Sequence, residues 1–312
     1  MAKTIYITGA SGLVGRYLVN ELITSTNYNI TAISSTPEVV RQRHLSPRLT
    51  SIGYGDFFAI SNNLENRAGG GNLLIHSAFT RKNDYGEVKR GIDLAQSVFS
   101  KCVELGFEGV LNISSRSIYV EPEEGCLNTE DSPLNLGGPI TLGKYTVELL
   151  SDAILGMAGI AHSSLRLASV NELKTDNNMV RPLNVFVDNV VAGKPIRVVG
   201  GMQVMSFIDP RDVATAIVAL LSVPAKKWKT KYNIGTGWKC TDSLLNMAKM
   251  VVERGAKYGY APVDINVEDK EVNQRAGLDI SRLTADTGWT PKISLTDMID
   301  ALFEMKIEQN NN

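Results

Sequence analysis

Thr8-Gly9-Ala10-Ser11-Gly12-Leu13-Val14-Gly15 stands directly after a short apolar run, Thr4–Thr8, and directly before an amphipathic one, Leu18–Ile23. A β-type run, three glycines and a helical pattern, in that order, describe a strand, a tight turn and the first turn of a helix. Each glycine has its own reason to be there. Gly9 permits the turn, Gly12 lets backbone approach a phosphate, and Gly15 lets the helix lie close against the strand. Because a helix N-terminus offers unpaired N–H groups and positive potential, the turn suits the pyrophosphate of a dinucleotide. The candidate cofactor contacts here are Gly9, Ser11, Gly12, Leu13, Val14 and Gly15.

Outward from this turn the pattern repeats. Strand-like runs at Ile30–Ser34, Ser51–Tyr54, Leu73–Ser77, Gly109–Ser114 and Ser163–Leu167 alternate with helical stretches such as Ile92–Leu105 and Lys144–Leu155. Alternation at this spacing predicts βαβ units, and unbroken apolar strands (TIYIT, NLLIH, GVLNI) predict a parallel sheet covered on both faces. The expected fold is α/β: a doubly wound parallel (Rossmann) sheet with a smaller mixed α/β C-terminal substrate domain. Residues 1–168 would form the cofactor domain, with 203–237 returning to it, while 169–202 and 238–312 form the substrate domain. Ser169–Met179 reads as loop, Val185–Val191 and Val213–Leu221 as helices, and Tyr232–Ile234 as a strand. Further helices at Asp242–Val252 and Leu295–Met305 are opened by Asp242-Ser243 and Ser294 caps, and the Asn310-Asn311-Asn312 tail should fray.

Composition narrows the function. The 312 residues are 43% hydrophobic and 21% charged, which excludes disorder, collagen and coiled coil. Lys and Arg (32) nearly cancel Asp and Glu (33) without long like-charge runs, so neither nucleic acid nor an anionic membrane is an expected partner. Cys102, Cys126 and Cys240 form no CxxC pair and have no nearby histidine, so no disulfide framework and no metal site is expected. With no export signal legible at Met1-Ala2-Lys3, a cytoplasmic location is expected.

Further motifs follow in order. They are Gly55-Asp56-Phe57, His76-Ser77-Ala78, Asn112-Ile113-Ser114-Ser115-Arg116-Ser117-Ile118-Tyr119 and Thr129-Glu130-Asp131-Ser132-Pro133. Later come Ala192-Gly193-Lys194-Pro195-Ile196, Phe207-Ile208-Asp209-Pro210-Arg211-Asp212-Val213-Ala214, Tyr232-Asn233-Ile234-Gly235-Thr236-Gly237 and Gly288-Trp289-Thr290-Pro291. With the GxxGxxG turn, this series resembles the extended branch of the short-chain dehydrogenase/reductase superfamily, the sugar-nucleotide epimerases and dehydratases, over almost the whole chain.

The resemblance implies an NAD(P)-dependent epimerase, dehydratase or reductase of a nucleotide-linked sugar. Ser115 would orient the substrate oxygen, and Lys144, in Gly143-Lys144-Tyr145-Thr146-Val147-Glu148, would hold the nicotinamide ribose. Cofactor contacts at Ser34, Asp56, Phe57, Ala78 and Lys144, and substrate contacts at Thr80, Arg116, Asn171 and Arg275, are implied in the same way. A homodimer through Ile92–Leu105 and Lys144–Leu155 is the expected assembly.

Two positions depart from the branch. The acid/base tyrosine should precede Lys144 by four residues, one helical turn, and Ile140 stands there. Candidates to replace it are Tyr119, first in line, then Tyr145, His76 and Glu130; the alternative is a member that has lost hydride chemistry and acts as a cofactor- or sugar-binding sensor or partner subunit. The second departure is Met205, two residues before Phe207, where the branch usually carries a phosphate-binding arginine. Cofactor choice is read at the end of the second strand. Ser34 replaces the NAD-selecting carboxylate there, and Arg16, Arg41 and Arg43 are near in sequence, which tilts the expectation to NADP.

Overall fold

The computed structural model describes residues 3–61, 71–80, 82–172, 181–272 and 274–310. Strands and helices alternate from the start: β1 (Thr4–Thr8), α1 (Leu13–Ser25), β2 (Asn29–Ile33), α2 (Pro37–Arg43), β3 (Leu49–Ile52) and α3 (Tyr54–Ala59). Then come β4 (Leu73–His76), α4 (Tyr85–Glu104), β5 (Gly109–Ser115), α5 (Pro139–Ser151) and β6 (Ala161–Leu167). The second half contains β7 (Ser169–Val170), α6 (Pro182–Val191), β8 (Ile196–Val199), β9 (Val204–Ile208), α7 (Pro210–Leu221) and β10 (Lys231–Ile234). It closes with β11 (Thr241–Ser243), α8 (Leu244–Lys257), β12 (Ile265–Glu268), α9 (Ser281–Thr287) and α10 (Leu295–Asn310).

Seven strands join in the order β10-β6-β5-β4-β1-β2-β3, every pair parallel. Side chains alternate across each strand, so the two faces collect different residues. Ile5, Ile7, Leu73, Ile75, Leu111 and Ile113 enter one core with Leu18 and Ile217 from the helices. Tyr6, Leu74 and Val110 enter the other with Phe99 and Val147. The sheet is thus doubly wound as expected. Strand order reverses between β1 and β4, and in such sheets ligands bind at the carboxyl ends of the strands flanking that reversal.

A second unit stands over this end. Its apolar cluster includes Leu183, Phe186, Ile196, Phe207, Met247, Leu302 and Phe303, drawn from α6, β8, β9, α8 and α10. Its strands form a three-stranded sheet, β11-β9-β7, and a β12-β8 pair. Within the stretch 203–237, α7 and β10 rejoin the large domain, whereas β9 pairs with β7 and β11 of this small sheet. Ser243 caps α8 by accepting from the Asn246 N–H, and Ser294 accepts from the Asp297 N–H at the start of α10. Part of the expected 169–179 loop, residues 173–180, lies outside the described residues, as do 311 and 312 of the tail. Among the described residues no helix is long and apolar enough to cross a membrane, and no group of three or more His, Cys, Asp and Glu side chains could hold a metal.

Candidate active site

The glycine turn has no room for side chains. Gly9 has φ +68°, and a Cβ there would stand 2.9 Å from the Ala78 nitrogen; a Cβ on Gly15 would stand 2.3 Å from the Gly9 carbonyl oxygen. Gly12 is the N-cap of α1 and supplies no side-chain cap, so the first-turn N–H groups at Leu13 and Val14 remain open to an outside acceptor. Tyr54, on α3, accepts a hydrogen bond from the Gly9 N–H at 3.2 Å and braces the turn. Sequence reasoning missed this contact because 45 residues separate the partners. Ser34 is buried, its hydroxyl 2.7 Å from the Ser11 hydroxyl, and the Thr36 N–H donates to it. No carboxylate occupies the end of β2.

From this turn a cleft of about 770 Å³ runs across the sheet. Ser11, Gly12, Leu13 and Val14 line one end, Thr80, Ser115, Ile140 and Lys144 the middle, and Glu172, Arg181, Met205 and Phe207 the side of the second unit. The expected catalytic pair, Ser115 and Lys144, therefore shares one cavity with the cofactor turn. Ser115 ends β5, with its hydroxyl 2.9 Å from that of Ser117 and accepting from the Ser117 N–H. Lys144 Nζ donates to the Ile113 carbonyl at 2.7 Å and lies over the Phe79 ring, 4.5 Å from its centroid. Ile140 forms part of the cavity wall, four residues before Lys144 on α5.

The substitute acids are engaged elsewhere. Tyr119 is 6% exposed and outside the cleft lining: its hydroxyl donates to Asn233 Oδ1 and accepts from Arg166 Nη1, both at 2.8 Å. Burial pushes its phenol up to about 12, against the pull of Arg166. Arg166, 1% exposed, is clamped by Glu148, whose carboxylate also accepts from Ser114. Glu130 accepts from the Asn233 N–H and pairs with Arg282 at 3.5 Å. His76 is fully buried, 2.8 Å from the Thr8 hydroxyl; burial first, then the Lys144 charge, depress it to about 3 and keep it neutral. Tyr145 is half-buried and lines no part of the cleft.

Several implied contacts also fall elsewhere. The Asp56 carboxylate caps α3, accepting from the Gly53 N–H at 3.0 Å, and Phe57 packs in the core against Tyr6. Arg275 pairs with Glu124 at 3.2 Å and Arg116 donates to Ser169 at 3.3 Å; neither lines the cleft. Asn171 is buried, and both its amide atoms lack a partner among the described residues. Of the three arginines considered for a 2′-phosphate, Arg16 and Arg43 line the cleft while Arg41 turns to the Ser51 carbonyl. The cradle fits a dinucleotide: its glycines are sterically required, its helix N-terminus is open, and Ser115 and Lys144 lie along the same cavity.

Fold and site together define a doubly wound dinucleotide-binding protein with a second unit above the strand ends. The chain belongs to the NAD dependent epimerase/dehydratase family, whose model matches residues 5–235, and is an enzyme of that kind. No curated protein matches it in sequence. Among solved structures it is similar to a UDP-N-acetylglucosamine 4-epimerase from Methanobrevibacter ruminantium M1 in complex with UDP-N-acetylmuramic acid, at TM-score 0.79 and 18% identity over 99% of both chains. It is also similar to a UDP-glucuronic acid 4-epimerase from Bacillus cereus in complex with NAD, at TM-score 0.78 and 20% identity over 99% of this chain and 100% of that one. A third is a UDP-glucose 4-epimerase from Thermotoga maritima with UDP-glucose, at TM-score 0.77 and 18% identity over 98% and 99%.

Proposed function

We propose that the protein acts on a nucleotide-linked sugar with NAD(P), as an epimerase, dehydratase or reductase. One observation carries the reading: a single cleft joins the glycine turn, Ser115 and Lys144 to the second unit. The ligands bound by structural relatives, UDP-sugars and NAD, support it.

The α1 N-terminus and the bare glycines would hold the dinucleotide pyrophosphate, and Lys144 the nicotinamide ribose. When bound, the nicotinamide supplies hydride acceptance and return. Ser115, at the strand end, hydrogen-bonds the reacting sugar oxygen, and the proton that oxygen gives up as hydride leaves its carbon goes to solvent in the cleft. Ile140, in the cleft wall, moves no proton. A positioned acid/base typically contributes a factor of roughly 10²–10⁴, so turnover is slow. NADP is preferred over NAD: Ser34 presents no carboxylate, and Arg43 has no carboxylate partner among the described residues. Two copies pair through α4 and α5, where Leu142 and Leu149, two helical turns apart, are 52% and 50% exposed.

The test is mass-detected chromatography of nucleotide sugars incubated with the protein and NAD or NADP. Loss of water identifies a dehydratase, a new peak of equal mass an epimerase, and a gain of two hydrogens a reductase; Ile140→Tyr should raise whichever rate is found. Failure to convert or bind any nucleotide sugar overturns the proposal. A second reading, a ligand-binding member without turnover, is favoured by Ile140 in the cleft wall and gains if binding occurs without conversion.

A further inference from the structure

The cleft lacks the cation expected from the second unit. Met205 lines it where an arginine was expected, and Arg275, the other implied clamp, is turned to Glu124 outside the lining. Arg181 is present instead. It is the N-cap residue of α6, directly before Pro182, and belongs to the cleft wall. Its Nη2 lies 3.6 Å from Glu172 Oε2, while Arg16 of α1 holds Oε1 of the same carboxylate.

Two guanidiniums thus share one carboxylate, leaving a net charge of +1 among side chains that are 12%, 18% and 7% exposed for Arg181, Arg16 and Glu172. A largely buried charge without a counter-charge is costly, and a ligand anion would relieve it. The geometry singles out Arg181 of the two. Its Nη1 is withdrawn from solvent and has no hydrogen-bond partner among the described residues, although a guanidinium donor so placed almost always has one. Asn171, next to Glu172 in the chain, leaves both amide atoms unpartnered in the same way. Unused donors, excess positive charge and a cleft 770 Å³ in volume describe a site built for an oxyanion.

We infer that Arg181 binds the diphosphate of the nucleotide-linked substrate, supplying from α6 the charge that residue 205 does not carry. This rests on the nucleotide-sugar reading above. The cofactor pyrophosphate is the other diphosphate that could reach the cleft, and the measurements separate the two.

Calorimetric titration of the full chain with UDP, GDP, CDP and dTDP, and separately with NAD and NADP, is compared for the unmodified protein, Arg181→Gln and Arg181→Gln/Met205→Arg. Removing one charge-assisted, partly desolvated contact should weaken the nucleoside diphosphate about ten- to hundredfold and leave cofactor affinity within about twofold. The double variant should regain about tenfold, because a guanidinium is restored to the same cleft from β9. Arg181→Lys, which keeps Glu172 paired, guards against a loss of fold and should weaken binding by an intermediate factor. Unchanged nucleoside diphosphate affinity in Arg181→Gln, or a loss confined to NAD and NADP, overturns the Arg181 assignment and leaves the nucleotide-sugar reading standing. An unmodified protein that binds none of the four nucleotides overturns both.

Discussion

Replacing Tyr119 by Phe removes one oxygen from the middle of a buried network and decides whether that network is catalytic or structural. The ring should stay, since it packs in the core and lies 4.9 Å from the Arg166 guanidinium. Two contacts vanish. Asn233 Oδ1 loses its donor, and Arg166 Nη1 loses one acceptor while keeping the Glu130 carbonyl at 3.0 Å. Stranding a buried acceptor costs about 1–3 kcal/mol and loss of a satisfied neighbour's second bond about 1, together about 2–4 kcal/mol. The melting midpoint of a chain this size should fall by about 3–6 °C. Catalysis should survive. A phenol held near 12 is deprotonated in only about one molecule in 10⁵ at pH 7, and this one faces Asn233 rather than the cleft. The assay pairs thermal unfolding with turnover of the nucleotide sugar the unmodified protein converts, well below both midpoints. An unchanged midpoint, or turnover reduced more than about a hundredfold at intact cofactor affinity, would refute the structural assignment.

Gly15→Ala places a methyl group 2.3 Å from the Gly9 oxygen and 2.7 Å from Ala10 Cα, backbone atoms that cannot swing aside. Strain of about 1–3 kcal/mol should appear as a lower midpoint and at least about tenfold weaker NADPH binding by fluorescence titration; retained affinity would contradict the packing role given to this glycine. His76 makes the fold sensitive to acid. Its folded pKa, about 3, lies below the ordinary value of 6.5, so the unfolded chain takes up the proton first; its contribution is full above about pH 6.5 and is lost as pH falls toward 3. Midpoints measured from pH 7 to pH 4 should fall, and His76→Gln should flatten the fall; equal slopes for both proteins would count against His76 as its source.

The large domain was legible because its signals are local and periodic. The glycine turn needs three residues without side chains at fixed spacing, and the run Thr4–Thr8 announces its strand by composition alone. The β11-β9-β7 sheet was not legible, because strands of two and three residues carry no period to detect. Asp56 and Phe57 follow β3 in the order a cofactor contact requires, and what the sequence did not show is their local work: the Asp56 carboxylate caps the helix from three residues after Gly53, and the Phe57 ring is buried beside Tyr6. The network around Tyr119 was not legible either, since its partners Arg166 and Asn233 lie 47 and 114 residues away.

Ile140 and Met205 were visible as departures because their positions are set by register: one helical turn before Lys144, and two residues before Phe207. Compensation for such losses obeys different rules in the two cases. A proton must be exchanged at one point in space, so a tyrosine lost at residue 140 is replaceable only by a group that reaches that point, and Tyr119, Glu130 and His76 are all bonded elsewhere. A diphosphate carries its charge over several oxygens and accepts a guanidinium from any element that borders the cleft. Arg181 reaches the cleft from α6, and its tie to Arg16 through Glu172 crosses more than half the chain. On the proposed reading the binding half of the site tolerates the loss of a motif residue more readily than the chemical half, which is why Arg181→Gln/Met205→Arg should behave as a relocation of one charge, whereas substitution at Ile140 should change the rate itself.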